Sequence, residues 1–506
     1  MPRPQVPDVS PAPTEALPQG PAAPHGAAHA RRWWALVVIG LAQLMVVLDA
    51  TIVNIALPSA QESLHFTDGD RQWILTSYAL PFGSLLLLGG RLADLFGRRQ
   101  AFLIGLAGFA VASAAGGAAT SFEMLVAARA GQGVCGALLA PAALSLLTTT
   151  FTDPGERAKA FSVFGVIAGA GGAIGLLLGG VLTQYLNWRY CLYVNLLFAL
   201  GAFLGGLAVL SRPLRTARRP RLDLPGTVVV SIGLFALVFG SANAETDGWA
   251  APSAWGLLVA GLLLLAVFVW WQTKAANPLL PLPVVLDRNR GASFLGILVI
   301  GCGLMGIFLF LTYYLQLSLG YSALRTGLAF LPMIGAMGIA PVIAAGLVPK
   351  VGPRPVVPTG LLLTAAGLAR LTALDLDSDY VTGVLPALVV VGAGLGGAMA
   401  PAINLATFGV AAEDSGAASA AVNTTIQVGG SVSVALLNTV STDATSQHIA
   451  RHGGSEATVA EAALRGYAAA YWWSAALFAA GAIICSVVYR RGRVDVDPNG
   501  SHAIPV

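Results

Sequence analysis

Apolar residues in this chain come in unbroken runs of about twenty, separated by short gaps rich in charge, glycine or proline. Such runs predict helices that are apolar all round, each long enough to cross a bilayer core of roughly 30 Å. Fourteen runs are legible, at 33–57, 73–91, 101–119, 124–150, 160–182, 190–210, 225–241, 254–271, 292–316, 327–348, 355–372, 381–404, 416–438 and 468–489. The first 30 residues differ: they hold eight prolines among Ala, Ser and Gln and no apolar core. Residues 1–32 are therefore expected to form a disordered cytoplasmic tail, not a signal peptide. The gap 440–467 reads as a long outer loop with room for a short helix.

Composition agrees. Of 506 residues, 56% are hydrophobic and 10% charged, against about 25% charged in a soluble domain. That balance excludes a disordered regulator, a disulfide scaffold and a nucleic-acid binder, and it makes the lipid bilayer the first partner. The net charge of +4 is less telling than where the charge lies. Taking the N-terminus as inside, inner segments carry 21 Lys and Arg and outer segments 6. By the positive-inside rule both termini are cytoplasmic, as an even number of spans requires. The basic loop Arg212 to Arg221 is a natural seam. Two inner-loop stretches resemble each other faintly: Gly90 to Arg99, and Gly346 to Arg354, where Pro349 or Lys350 takes the place of Asp94.

The expected fold is thus an all-α integral membrane protein of fourteen transmembrane helices. Two six-helix pseudo-repeat halves, 33–210 and 291–490, flank a linker at 211–290 with two extra helices, and 491–506 forms a second cytoplasmic tail. Paired repeats of this kind are a transporter layout.

The chemistry is sparse. All six histidines lie outside the apolar runs and the four cysteines are scattered within them, so no metal centre and no cofactor are expected. Of 24 acidic residues only Asp49 sits well inside a span, and Arg129 in the fourth span lies at a similar depth. An intramembrane carboxylate is costly and marks a proton, ion or substrate path, or else a structural acid paired with a neighbouring helix. Gln43, Asn54, Gln132, Asn195, Gln316, Asn404, Asn423 and Gln427, with Tyr78, Tyr313 and Tyr314, can line a shared substrate cavity or act singly as interhelical glue.

These residues carry a resemblance. The stretch Leu48-Asp49-Ala-Thr51-Ile-Val-Asn54-Ile-Ala-Leu-Pro58 resembles the first-helix motif of the fourteen-helix drug:proton antiporters of the major facilitator superfamily. Gly90, Asp94, Gly97, Arg98 and Arg99 are similar to that superfamily's inner-loop motif, and Arg129-Ala-Gly-Gln132-Gly133 to its fourth-helix motif. Gly165, Gly169, Gly172, Gly175, Gly179 and Gly180 resemble the fifth-helix antiporter motif, with Leu176 where its proline stands. Span thirteen, from Gly416 to Gly430, also looks family-like.

The resemblance implies that Asp49 carries a proton whose release Arg129 biases, that Asp94 and Arg98 latch the cytoplasmic side, and that the glycines form one smooth packing face. It implies a multi-pass protein of the bacterial cytoplasmic membrane, and with no soluble assembly domain in the sequence a monomer is expected. The implied activity is proton-coupled export of hydrophobic, neutral or monocationic drugs by alternating access. The alternatives are a dedicated exporter of a self-made antibiotic or metabolite, a proton-coupled importer, or, with least support, a membrane-embedded enzyme.

Overall fold

A computed structural model of the chain describes residues 25–66, 70–211, 222–246, 248–249, 251–453 and 455–492. Most of the N-terminal tail (1–24), the seam Arg212 to Arg221 and the C-terminal tail from 493 lie outside the described residues. Within them the chain is helical throughout, with no strand. In order the helices are α1 (His25–Leu64), α2 (Arg71–Phe96), α3 (Arg98–Gly117), α4 (Phe122–Thr150), α5 (Pro154–Tyr185), α6 (Tyr190–Val209), α7 (Leu224–Thr246) and α8 (Pro252–Gln272). There follow α9 (Leu282–Leu286), α10 (Arg288–Tyr313), α11 (Ala323–Ala329), α12 (Leu331–Val351), α13 (Pro353–Leu371), α14 (Leu385–Thr407), α15 (Ser415–His452) and α16 (Glu456–Val488). Among the described residues twelve spans are long and apolar enough to cross a membrane. Two further long helices of the same bundle are α5, with 32 residues, and α13, with 19.

Three expectations change. Helix α1 begins at His25, so the last residues of the supposed tail are helical. The tenth run is broken near Phe330, where α11 gives way to α12 and Pro332 sits in the first turn, a position that suits its missing N–H. The supposed outer loop 440–467 is mostly helix: α15 continues to His452 and α16 starts at Glu456. At 1.5 Å per residue α15 is roughly 57 Å long, well beyond the hydrocarbon core.

The packing repeats. Helices α1 to α6 pair as α1 with α5 and α6, α2 with α4, and α3 with α4 and α6. Helices α10 and α12 to α16 pair in the same order: α10 with α15 and α16, α12 with α14, and α13 with α14 and α16. Local sequence repeats with it. Gly136-Ala-Leu-Leu-Ala-Pro141-Ala in α4 has its counterpart in Gly396-Gly-Ala-Met-Ala-Pro401-Ala of α14. Asp153-Pro154-Gly155 opens α5 as Asp414-Ser415-Gly416 opens α15.

The turns between the second and third helix of each set both pass through a left-handed glycine, Gly97 at φ 99° and Gly352 at φ 83°, where a Cβ would be strained. Two residues on, Arg99 donates to Leu207 O (3.1 Å) and Arg354 to Ser486 O (2.6 Å). Each arginine thereby satisfies a free carbonyl at the C-terminus of the sixth helix of its set, where the helix dipole favours a cation. Arg31 on Val209 O and Arg288 on Val488 O repeat the device. With Gly97 matched to Gly352, the residue in the place of Asp94 is Pro349.

The two sets meet at α2 against α15 and at α5 against α12 and α14. The hairpin α7–α8 lies outside this pattern: α7 leans on α2 and α15. Its base is riveted by the buried Asp223, which accepts from Trp271 Nε1 and Gln272 Nε2, both at 2.9 Å.

Candidate functional site

Asp49 and Arg129 meet. Both are buried, at 0% and 1% exposure, and Arg129 Nη1 lies 2.6 Å from Asp49 Oδ2. Two amides complete the carboxylate's surroundings: Gln132 Nε2 at 2.9 Å and Asn195 Nδ2 at 2.6 Å both donate to Oδ1. Ser113 Oγ accepts from Gln132 (2.8 Å) and Asn195 (3.4 Å). Arg129 also donates to Gln132 Oε1 (2.9 Å) and to Ile74 O (3.4 Å), and its guanidinium stands 4.5 Å from the centre of the Tyr78 ring. Five helices, α1, α2, α3, α4 and α6, thus contribute to one polar knot in an apolar bundle. Among the described residues the hydrogen bonds to Asp49 all come from side-chain donors, which suits an acceptor-only carboxylate. Removing one partner of such a buried pair strands the other and costs about 3–5 kcal/mol.

The knot takes in three of the cavity candidates. Gln132 and Tyr78 belong to it, packed and buried. Asn195 faces the carboxylate directly; only the rotation of α6, which sequence does not give, distinguishes that role from glue. Asn404 is engaged elsewhere, by Arg157. Tyr313 stacks loosely with Tyr467 between α10 and α16, and Tyr314 donates to Asp375 O. Gln43 is buried, Asn54 is exposed, Gln316 sits in a π-helical turn at the end of α10, and Asn423 bonds its own helix at Ser419 O. Gln427 is half-buried on α15. Of these eleven residues, Tyr78, Gln132 and Asn195 meet at the Asp49–Arg129 pair.

A second cluster lies at the end of the bundle that holds the α2–α3 turn. Asp94, with a side chain 1% exposed, accepts from Arg98 (3.3 Å) and from the backbone N–H groups of Gly416 (3.1 Å) and Ala417 (3.2 Å). A carboxylate on the first turn of a helix satisfies free donors and opposes the dipole's positive end. Gly90 allows the approach: a Cβ there would lie 2.5 Å from Gly416 O. Gly97 makes the turn, while Arg99, expected in the latch, caps α6 instead. Three participants have no sequence signal of their own: Arg91, 3.5 Å from Asp414; Ser145, 2.7 Å from Ser415 Oγ; and the buried Arg157. Burial pushes the Asp414 carboxyl above its ordinary value, with Arg91 opposing.

The fifth-helix glycines face two ways. Gly175 and Gly179 sit against Thr51 and Ile52 of α1, whereas Gly165 faces Ala400 of α14 and Gly172 faces Phe308 of α10. Gly172 touches both Phe308 of α10 and Thr51 of α1, so these four glycines, within about 80° of the helix circumference, form a stripe wedged between α1 and the second helix set. The backbones of Gly169 and Gly180 are helical within α5.

A helical bundle of two like-packed six-helix sets, with the Asp49–Arg129 ion pair buried inside the first set, has the layout of a membrane transporter. The model described as Major Facilitator Superfamily matches residues 39–434, and the chain belongs to that superfamily. It is a multi-pass membrane transporter, not an enzyme. The puromycin resistance protein of Streptomyces alboniger is 49% identical over 504 residues, covering 98% of each chain. The cephamycin export protein of Amycolatopsis lactamdurans is 39% identical, over 81% of this chain and 85% of that one. The crystal structure of the human organic anion transporter MFSD10 shares the fold, with a TM-score of 0.63 at 16% identity over 90% of this chain and 99% of that one.

Proposed function

We propose that the chain is a proton-coupled antiporter that exports hydrophobic, neutral or monocationic drugs or antibiotics from the bacterial cytoplasm by alternating access. The observation that carries this reading is the buried Asp49 held by Arg129, Gln132 and Asn195. A proton reaches Asp49 only when some of these donors withdraw, so movement of α4 or α6 against α1 exchanges internal donors for a proton. In this reading α5 and α13 also cross, giving fourteen spans in two halves of six plus the α7–α8 pair, with both termini cytoplasmic and the latch on the inner side. Each is long enough, at roughly 48 and 28 Å, and α13 packs between α14 and α16 as α3 does between α4 and α6.

The test is uptake of a fluorescent lipophilic cation into everted vesicles with an imposed acid-inside gradient. Wild type should accumulate the dye until an uncoupler collapses the gradient, and Asp49→Asn at equal abundance should not. Equal uptake by both proteins would remove Asp49 from coupling. For a neutral substrate exchanging with one proton, a potential of 100 mV supplies about 2.3 kcal/mol; for a monocation the exchange is electroneutral.

A dedicated self-resistance exporter is the second reading. It is favoured by the relative that covers nearly the whole chain, which bears the name of a single antibiotic, puromycin. Protection of a sensitive host against puromycin, with no protection against unrelated lipophilic cations, would select it.

A further inference from the structure

The inner latch has lost its acid on one side. In the first set Asp94 grips the N-terminus of α15; its counterpart, Pro349, has no carboxylate to grip the N-terminus of α5. The same side of the molecule carries a different device. Arg157, 9% exposed, sends Nε to Asn404 Oδ1 (2.7 Å), Nη2 to Thr407 Oγ1 (2.8 Å) and Nη1 to Thr148 O (3.4 Å). Its guanidinium stands over the ring of Phe161 at 5.0 Å. Among the described residues no carboxylate pairs with it.

The internal repeat shows that this trio is not inherited from the common pattern. Aligning Asp153-Pro-Gly with Asp414-Ser-Gly puts Ala418 in the place of Arg157. Aligning Ala140-Pro-Ala with Ala400-Pro-Ala puts Leu144 and Leu147 in the places of Asn404 and Thr407. One donor and two acceptors therefore stand together where the other copy has three apolar residues, on the side where the acid is missing.

We propose that Arg157, Asn404 and Thr407 form a second bolt of the inner latch, replacing the lost acid. The turn from α14 to α15 is then held from three helices of the other set: by Asp94 of α2 at the start of α15, by Ser145 of α4 at Ser415, and by Arg157 of α5 at the end of α14. Charge matches the helix termini at both grips, an anion at an N-terminus and a cation at a C-terminus. A guanidinium held by neutral acceptors rehydrates without abandoning a buried counter-charge, so the bolt opens more readily than a buried ion pair would. Arg157 acts as a positioning residue for the closed inner side and contacts no transported molecule.

The inference rests on the alternating-access reading, but its test does not use transport. Ser145→Cys and Ser415→Cys, introduced together after replacement of the four native cysteines, form a disulfide only when the latch is shut. Arg157→Gln should slow cross-linking roughly tenfold, equivalent to about 1.4 kcal/mol, while Arg157→Lys should fall between. Asn404→Leu with Thr407→Val, which strips both acceptors as the other copy does, should slow it as much, and adding Arg157→Gln to that pair should change nothing further. A purely structural arginine would lower melting temperature in all backgrounds without this non-additivity. Cross-linking at the wild-type rate in folded Arg157→Gln overturns the bolt. Should Arg157→Gln fail to fold, wild-type cross-linking in the Asn404→Leu/Thr407→Val protein overturns it equally.

Discussion

At the scale of single residues, close approach governs this molecule as much as charge does. A Cβ on Gly175 would run into Thr51 Oγ1 and come within 3.0 Å of Leu48 O, two contacts on α1. Gly175→Ala should therefore cost about 1–3 kcal/mol of stability, as overpacking does, and adding Thr51→Ala should recover part of it. Gly346→Ala, with nothing within 4 Å, should leave the melting temperature unchanged; equal losses at both positions would refute the packing argument. The Asp49–Arg129 pair is legible in the sequence because it is the lone acid and lone base at matching depth. Asn195 is not, since its part depends on which way α6 turns. Arg157 is hidden for another reason: it reads as one more inner arginine until its acceptors, some 250 positions away, are brought to it.

At the scale of elements, apolar runs locate the helices but not their ends. Hydropathy stops where lipid stops, whereas backbone hydrogen bonding continues until a capping group or a glycine ends it, as Gly453 does at φ 92° after α15. The hairpin of α15 and α16 therefore has the sequence signature of a loop. The repeat is faint in sequence because only turn and capping residues and one buried Gly-to-Pro-Ala segment within α4 and α14 preserve it, while lipid-facing positions drift freely among apolar types. The caps make a measurable prediction. Arg354→Ala should remove the guanidinium bond to Ser486 O and destabilise the last turn of α16 by about 0.3–1 kcal/mol, seen as faster hydrogen exchange there. Arg99→Ala should do the same at the end of α6. Exchange unchanged in both would mean that the arginines cap nothing of consequence.

At the scale of the whole molecule, the proposed orientation rests on charge counting and is open to direct test. With fourteen crossings a cysteine at Asp377 should react with an impermeant reagent from outside the cell. Cysteines at Lys274 and Gly409, both exposed, should react only after the membrane is opened. Labelling of Asp377→Cys from the inside alone would mean that α13 does not cross. The length of α15 has a consequence for how such a carrier can be controlled. One continuous helix runs from Gly416, in the grip of Asp94, to His452 at its other end. If it tilts by about 10° around its midpoint, each tip swings roughly 5 Å in opposite directions, given 1.5 Å of rise per residue. On the proposed orientation the far tip stands outside the cell. An antibody fragment clamped on the hairpin of α15 and α16 would then immobilise the inner gate from the outside, as a brake that never has to enter the cytoplasm.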